Sequence, residues 1–165
     1  MQLFAAIDFE TASGERNSAC AIGYVIFNHS KIIKKKSYLI KPPKPEVHFT
    51  EIHGLTWDML KKEKTFDKVW RLIKMNYSEL IISLLITHLL IGPYYILAAI
   101  IIISIFPHKS LKTLLFSPES IGISKYKLNT VCKNLRIPLN HHDALSDAKG
   151  CALIAIEAFK KGFSI

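Results

Sequence analysis

Two clusters of chemistry-bearing residues stand at opposite ends of this chain. Asp8 and Glu10 close an apolar run in FAAIDFETA, and His142 stands five residues before Asp147 in HHDALSDA. A carboxylate pair with a distant His and Asp is the set that two-metal hydrolysis of a phosphodiester needs. A hydroxide attacking a phosphodiester must approach an anion, and negative charge builds on the oxygens in the transition state. Two Mg²⁺ or Mn²⁺ ions roughly 3.5–4 Å apart lower the pKa of water and stabilise both the attacking and the leaving oxygen. Such hard cations take oxygen ligands, so carboxylates are the side chains required. His142, just ahead of a helical pattern, could accept the proton from the attacking water. Each residue alone has a plainer reading. An Asp at a strand end starts a turn, an Asp in a first helical turn complements the macrodipole, and a loop His beside another His is solvated. Their combination is what points to metal-assisted chemistry.

These residues need elements to hold them. Residues 3–7 (LFAAI) read as a buried strand. Alternation then turns Asp8 and Glu10 to one face of its end. ACAIGYVIF (19–27) reads as a second strand and KSYLI (36–40) as a third, with NHSK (28–31) as a hairpin turn and KIIKKK as a basic continuation. The prolines of KPPKPE (41–46) break regular structure. Thr56 or Asp58 could cap a short helix near Trp57. TFDKVWRLIKMNY (65–77) puts Phe66, Val69, Trp70, Ile73 and Tyr77 on one face of a helix. LIISLLIT (80–87) reads as a strand. SKYKLNTVCKNLRI (124–137) spaces Leu128, Val131, Cys132 and Leu135 for a helix. DALSDAKGCALIAIEAFKKG (143–162) is a helix capped by Asp143 and closed by Lys160, Lys161 and Gly162. The expectation is a mixed α/β fold, one domain over residues 1–165, around one central sheet.

Half of the 165 residues are apolar, which excludes a disordered chain. A net charge of +9 suits a polyanionic partner, nucleic acid or an anionic membrane surface. A Lys- and Ile-rich composition also follows from an AT-rich genome, so the charge permits such a partner without identifying it. Cys20, Cys132 and Cys151 are scattered and lack CxxC spacing. They suit buried thiols in a reducing, cytoplasmic compartment, not disulfides or a zinc site. The first residues lack a basic stretch and reach Asp8 too early for a secretory signal.

D-x-E-T at 8–11, IHGLT at 52–56 and H-x-A-x-x-D at 142–147 resemble the DEDDh class of proofreading-type 3′–5′ exonucleases, related to the epsilon subunit of bacterial DNA polymerase III. SACAIG (18–23) and KYKLNTVCKNLRIPL, leading into HHDALSDA, support the likeness, which runs through 1–80 and about 124–160. The resemblance implies a ribonuclease H-like α/β fold with a central mixed five-stranded sheet flanked by helices. It implies metal ligation by Asp8, Glu10 and Asp147, two Mg²⁺ or Mn²⁺ ions, and His142 rather than His141 as the general base. The implied activity releases nucleoside monophosphates from the 3′ end of single-stranded DNA or RNA, with a DNA polymerase or repair complex as a further partner. By the same analogy Phe9, Thr11, His53 and Leu55 lie near the terminal nucleotide. Their plainer roles are packing for Phe9 and Leu55, local capping for Thr11 and turn bonding for His53.

The family carries one more Asp in mid-chain, in an H-N-x-x-F-D pattern after a strand. Here LLIT is followed by His88 and then LLIGPYYILAAIIIISIF, and Glu119 is the only acid between Glu79 and Asp143. No residue takes the part of the fourth carboxylate, and residues 89–123 are atypical of the family. Three readings account for this. A change of reading frame enters after His88 and leaves before Lys125. Or the protein has truly diverged, leaving an impaired enzyme or a non-catalytic nucleic-acid-binding relic that uses the basic residues at 31–36 and 41–44. Or the apolar run 81–106, free of Asp, Glu, Lys and Arg, spans a membrane. A single span would put Asp8 and Glu10 on one side and His142 and Asp147 on the other, so exonuclease chemistry and insertion exclude each other. The expectation is therefore an exonuclease domain with no membrane partner and weakened turnover.

Overall fold

Apolar residues at both parities in the first two strand-like runs call for a sheet covered on both faces. The computed structural model of the chain describes residues 3–76 and 127–162. Its sheet joins β1 (Phe4–Thr11), β2 (Ala19–Phe27) and β3 (Ile32–Leu39) in the order β1-β2-β3. Both pairings are antiparallel, with Asp8 opposite Gly23 and Glu10 opposite Ala21. A bulge between Glu10 and Thr11 ends the regular register of β1.

The helices are α1 (Thr50–His53), α2 (Trp57–Leu60), α3 (Phe66–Asn76), α4 (Leu128–Asn134) and α5 (Ala144–Lys160). Alternation divides the sheet between two cores. Phe4, Ala6, Val25 and Phe27 pack with Leu128, Val131 and Cys132 of α4 and with the apolar side of α5. Ala5, Ile7, Ile22, Tyr24 and Ile26 pack with Val69 and Ile73 of α3. One face of β1 is thereby committed to α5, and Asp8 and Glu10 continue that face.

The local expectations fare well. Asn28 Oδ1 accepts from the Ser30 and Lys31 amides at 2.9 and 2.8 Å, which closes the β2–β3 hairpin at NHSK. Asp143 caps α5, its Oδ1 accepting from the Ser146 amide at 2.7 Å. Thr56 occupies the N-cap of α2 without a side-chain capping bond. The three cysteines are free and buried.

One expectation needs correction and another is met in part. The third strand begins at Ile32, not at residue 36, because the basic run itself pairs with β2: Lys34, Lys35 and Lys36 stand opposite Ile26, Val25 and Tyr24. β3 is an outer strand among the described residues, and lysines suit such an edge, whose outer side must resist pairing with other chains. The central sheet, expected to be mixed and five-stranded, has three strands among the described residues, all antiparallel. The strand expected over 80–87 and the atypical stretch 89–123 lie outside the described residues.

Candidate metal centre

β1 delivers Asp8 and Glu10 on one face, and the first turn of α5 delivers Asp147 against them. One ligand oxygen from each of the three carboxylates lies within 4.8 Å of the others. Asp147 is buried, at 5 % exposure. Its two oxygens are treated differently. Oδ2 takes His141 Nδ1 at 2.9 Å and the His142 backbone amide at 3.1 Å. Oδ1 is buried and has no hydrogen-bond partner.

Crowding three carboxylates disfavours their ionised forms. Burial holds the Asp8 pKa well above the usual carboxylate range, and the Asp147 and Glu10 charges push the same way. Burial also pushes Glu10 up to about 7, with Asp147 adding to the rise and His141 opposing it. An unsatisfied buried oxygen and mutually repelling carboxylates are both relieved by a bound cation. This oxygen-only donor set fits a hard divalent ion and could hold it through Asp8, Glu10 and Asp147.

Of the two adjacent histidines, His141 bonds the cluster through its side chain. The His142 side chain is not itself bonded to Asp147, and its backbone adopts a left-handed φ of 68°. That conformation is uncommon outside glycine, though His is among the residues that adopt it more readily. It lets the His142 amide reach Asp147. The two imidazoles stack with centroids 4.0 Å apart.

His53 is the last residue of α1. Its Nδ1 accepts from the Leu55 amide at 3.1 Å, which assigns the proton to Nε2. Nε2 then donates to the Thr11 carbonyl at 3.2 Å, with Cys20 Sγ 3.8 Å away. Burial lowers the His53 pKa, the Thr11 bond opposes this, and His142 adds to the lowering. His53 thus ties the HGLT turn to the bulge just past Glu10. Leu55 packs beside Ala12, Cys20 and Leu60. Phe9 sits with the α3-side core, 6.1 Å from the Phe66 ring. Phe9 and Thr11 border a cavity of about 820 Å³ together with Arg16, Lys41 and Phe66.

The fold therefore brings Asp8, Glu10 and Asp147 together, with His142 beside them through its backbone and His53 tied to the Thr11 carbonyl. Phe9 and Leu55 both pack against core clusters, Phe9 also borders the cavity, and Thr11 contributes its carbonyl. Sequence reasoning passed over His141 as an Asp147 partner, although the His doublet was the visible signal. It also passed over Gly23, whose place inside an apolar strand marks a close approach.

A search among curated proteins finds no matching sequence. Solved structures do share the fold. Exonuclease X in complex with 5′-overhanging duplex DNA superposes with a TM-score of 0.62 at 16 % identity, over 97 % of this chain and 93 % of that one. A full-length 3′-exonuclease gives 0.64 at 17 % identity, over 97 % of this chain and 61 % of its own. A 3′-exonuclease with 3′-end specific recognition of histone mRNA stem-loop gives 0.59 at 20 % identity, over 97 % and 82 %. The family model for RNase T, an exonuclease, matches residues 5–155. A three-carboxylate cluster shared by β1 and α5, inside an exonuclease fold and under a family match spanning nearly the whole length, leads to one assignment: the chain belongs to the RNase T exonuclease family.

Proposed function

We propose that this chain is a single-domain, divalent-metal-dependent 3′–5′ exonuclease of the DEDDh class. It removes nucleoside monophosphates from 3′ ends of single-stranded DNA or RNA, with turnover reduced by the lack of a fourth carboxylate. The observation that carries this reading is the convergence of Asp8, Glu10 and Asp147 within 4.8 Å, with Asp147 Oδ1 left unpaired. Divalent cations bound there supply Lewis acidity and lower the pKa of water. The chain's own residues supply the rest. Asp8, Glu10 and Asp147 hold the cations, and His142 takes the proton from the attacking water. His53 and Leu55 bracket the turn beside the 3′-terminal nucleotide, and Phe9 and Thr11 border the adjoining cavity.

The nucleic-acid substrate follows from the family and from structural relatives described with overhanging DNA and with an RNA stem-loop. A mixed five-stranded sheet and an epsilon-like role beside a polymerase or repair complex extend the same reading. Among the described residues no helix is long and apolar enough to cross a membrane. Asp8 and Asp147, which flank the apolar run 81–106 in the sequence, share one site. A single crossing by that run would separate them.

Incubating the purified protein with 3′-labelled single-stranded DNA or RNA and Mg²⁺ or Mn²⁺ tests the proposal. The expected outcome is slow monophosphate release that disappears in Asp8→Ala. Release at about 1 s⁻¹ or faster, the ordinary range of enzymes, refutes the impairment. Salt-sensitive binding with no release at all refutes the enzyme and leaves the binding relic.

A further inference from the structure

Asp147 is buried in the first turn of α5, and the roles of its oxygens are divided. Oδ2 accepts from His141 Nδ1 at 2.9 Å and from the His142 amide at 3.1 Å, while buried Oδ1 accepts from nothing. The terminal torsion of an Asp is broad and roughly two-fold. Without donors on one side, the carboxylate could turn either oxygen toward Asp8 and Glu10. Two donors on the same oxygen set its plane. One of them is a backbone amide that any residue at 142 provides. The other is the side chain of His141, which lies outside the H-x-A-x-x-D pattern at 142–147.

We propose that His141 is a positioning residue: its Nδ1–H holds Asp147 Oδ2 so that Oδ1 is presented to the divalent cation. This rests on reading the Asp8, Glu10 and Asp147 cluster as a metal site. His141 touches neither substrate nor reacting atoms in this role. The Asp147 carboxylate can only accept, so His141 Nδ1 is the donor of this bond. Groups that orient a metal-binding carboxylate in this way typically alter metal affinity by about 10–100-fold when removed.

Calorimetric titration of the full chain with Mn²⁺ alone tests the proposal. His141→Ala should bind Mn²⁺ about tenfold more weakly than the unaltered chain. His141→Asn, whose amide donor occupies the Nδ1 position, should stay well inside the roughly tenfold loss that marks removal of such a partner. In nuclease assays the His141→Ala defect should lie in the metal concentration needed for half-maximal rate and shrink at saturating Mn²⁺. A general loosening of the fold would not produce that split. Equal affinity in the unaltered and Ala chains overturns the positioning role. Asn as weak as Ala also overturns it, because the imidazole itself would then be required. If His141→Ala does not fold, His141→Gln replaces it: its amide lies beyond the Nδ1 position, and affinity equal to that of Asn overturns the proposal. Failure of the metal reading itself looks different. The unaltered chain and Asp147→Asn would then both show no saturable Mn²⁺ binding.

Discussion

Gly23 lies directly beneath the start of α5, so close that a β-carbon on it would collide with the backbone carbonyl of Ala144 and the amide nitrogen of Leu145. Gly23 is also the register partner of Asp8. The helix that carries Asp147 can therefore cross the sheet one strand away from Asp8, because no side chain stands between them. Three carboxylates meet as a result of one missing methyl group.

Gly23→Ala should accordingly damage both fold and site. The atoms in its way are backbone, so the helix start must move. Overpacking of this kind costs about 1–3 kcal/mol. Urea denaturation should show that loss, and Mn²⁺ affinity should fall with it. Gly14→Ala, with nothing within 4 Å of the added carbon, should change neither. A Gly23→Ala chain with unaltered midpoint and affinity would show that α5 does not depend on this approach.

The carboxylate cluster gives the metal-free protein a definite pH dependence. Glu10 titrates at about 7 in the folded chain against an ordinary 4.5, and Asp8 is raised as well. Between those values the folded state holds protons that the unfolded state has released. Its stability is thus full at low pH and declines as pH rises through this window. In EDTA the melting temperature should fall between pH 4.5 and 7. Mn²⁺ should restore it at neutral pH and do little at pH 4.5, since binding must displace the protons. Glu10→Gln should flatten the decline. A melting temperature in EDTA that rises across this range contradicts the crowding.

The donor and acceptor of His53 can be separated. His53→Gln carries a donor at the Nε2 position for the Thr11 carbonyl, whereas His53→Ala carries none. The Ala chain should lose about 1 kcal/mol on chemical denaturation, the ordinary net contribution of a hydrogen bond, here between part-buried groups. Gln should recover part of the loss. Equal losses in the two would mean that the Thr11 bond contributes nothing.

Asp143 both caps α5 and adds negative charge near Asp8 and Glu10. Asp143→Ala should cost about 1 kcal/mol of stability through the lost cap. Asp143→Asn retains a capping oxygen and should hold the denaturation midpoint while easing the rise in the Glu10 pKa. Titration of Glu10 by NMR in the Asn chain checks the second effect.

By itself the sequence determined what depends on near neighbours. Alternation at 4–11 set Asp8 and Glu10 on one face, NHSK set the hairpin, and Asp143 with the apolar spacing of 144–160 set the helix and its first-turn Asp147. These are backbone and capping preferences that act over a few residues, so they are legible in a string. The extent of β3 was not, because its lysines are ordered by pairing with β2 and not by their own propensity. Nor was the choice between His141 and His142 as the side chain that grips Asp147, which turns on the left-handed backbone at 142. That Asp8 and Asp147, far apart along the chain, share one site was an inference from motif likeness. Only the tertiary structure decided it, through the close passage of α5 over Gly23. Such contacts depend on where two independently specified elements come to rest, and no local pattern encodes that distance.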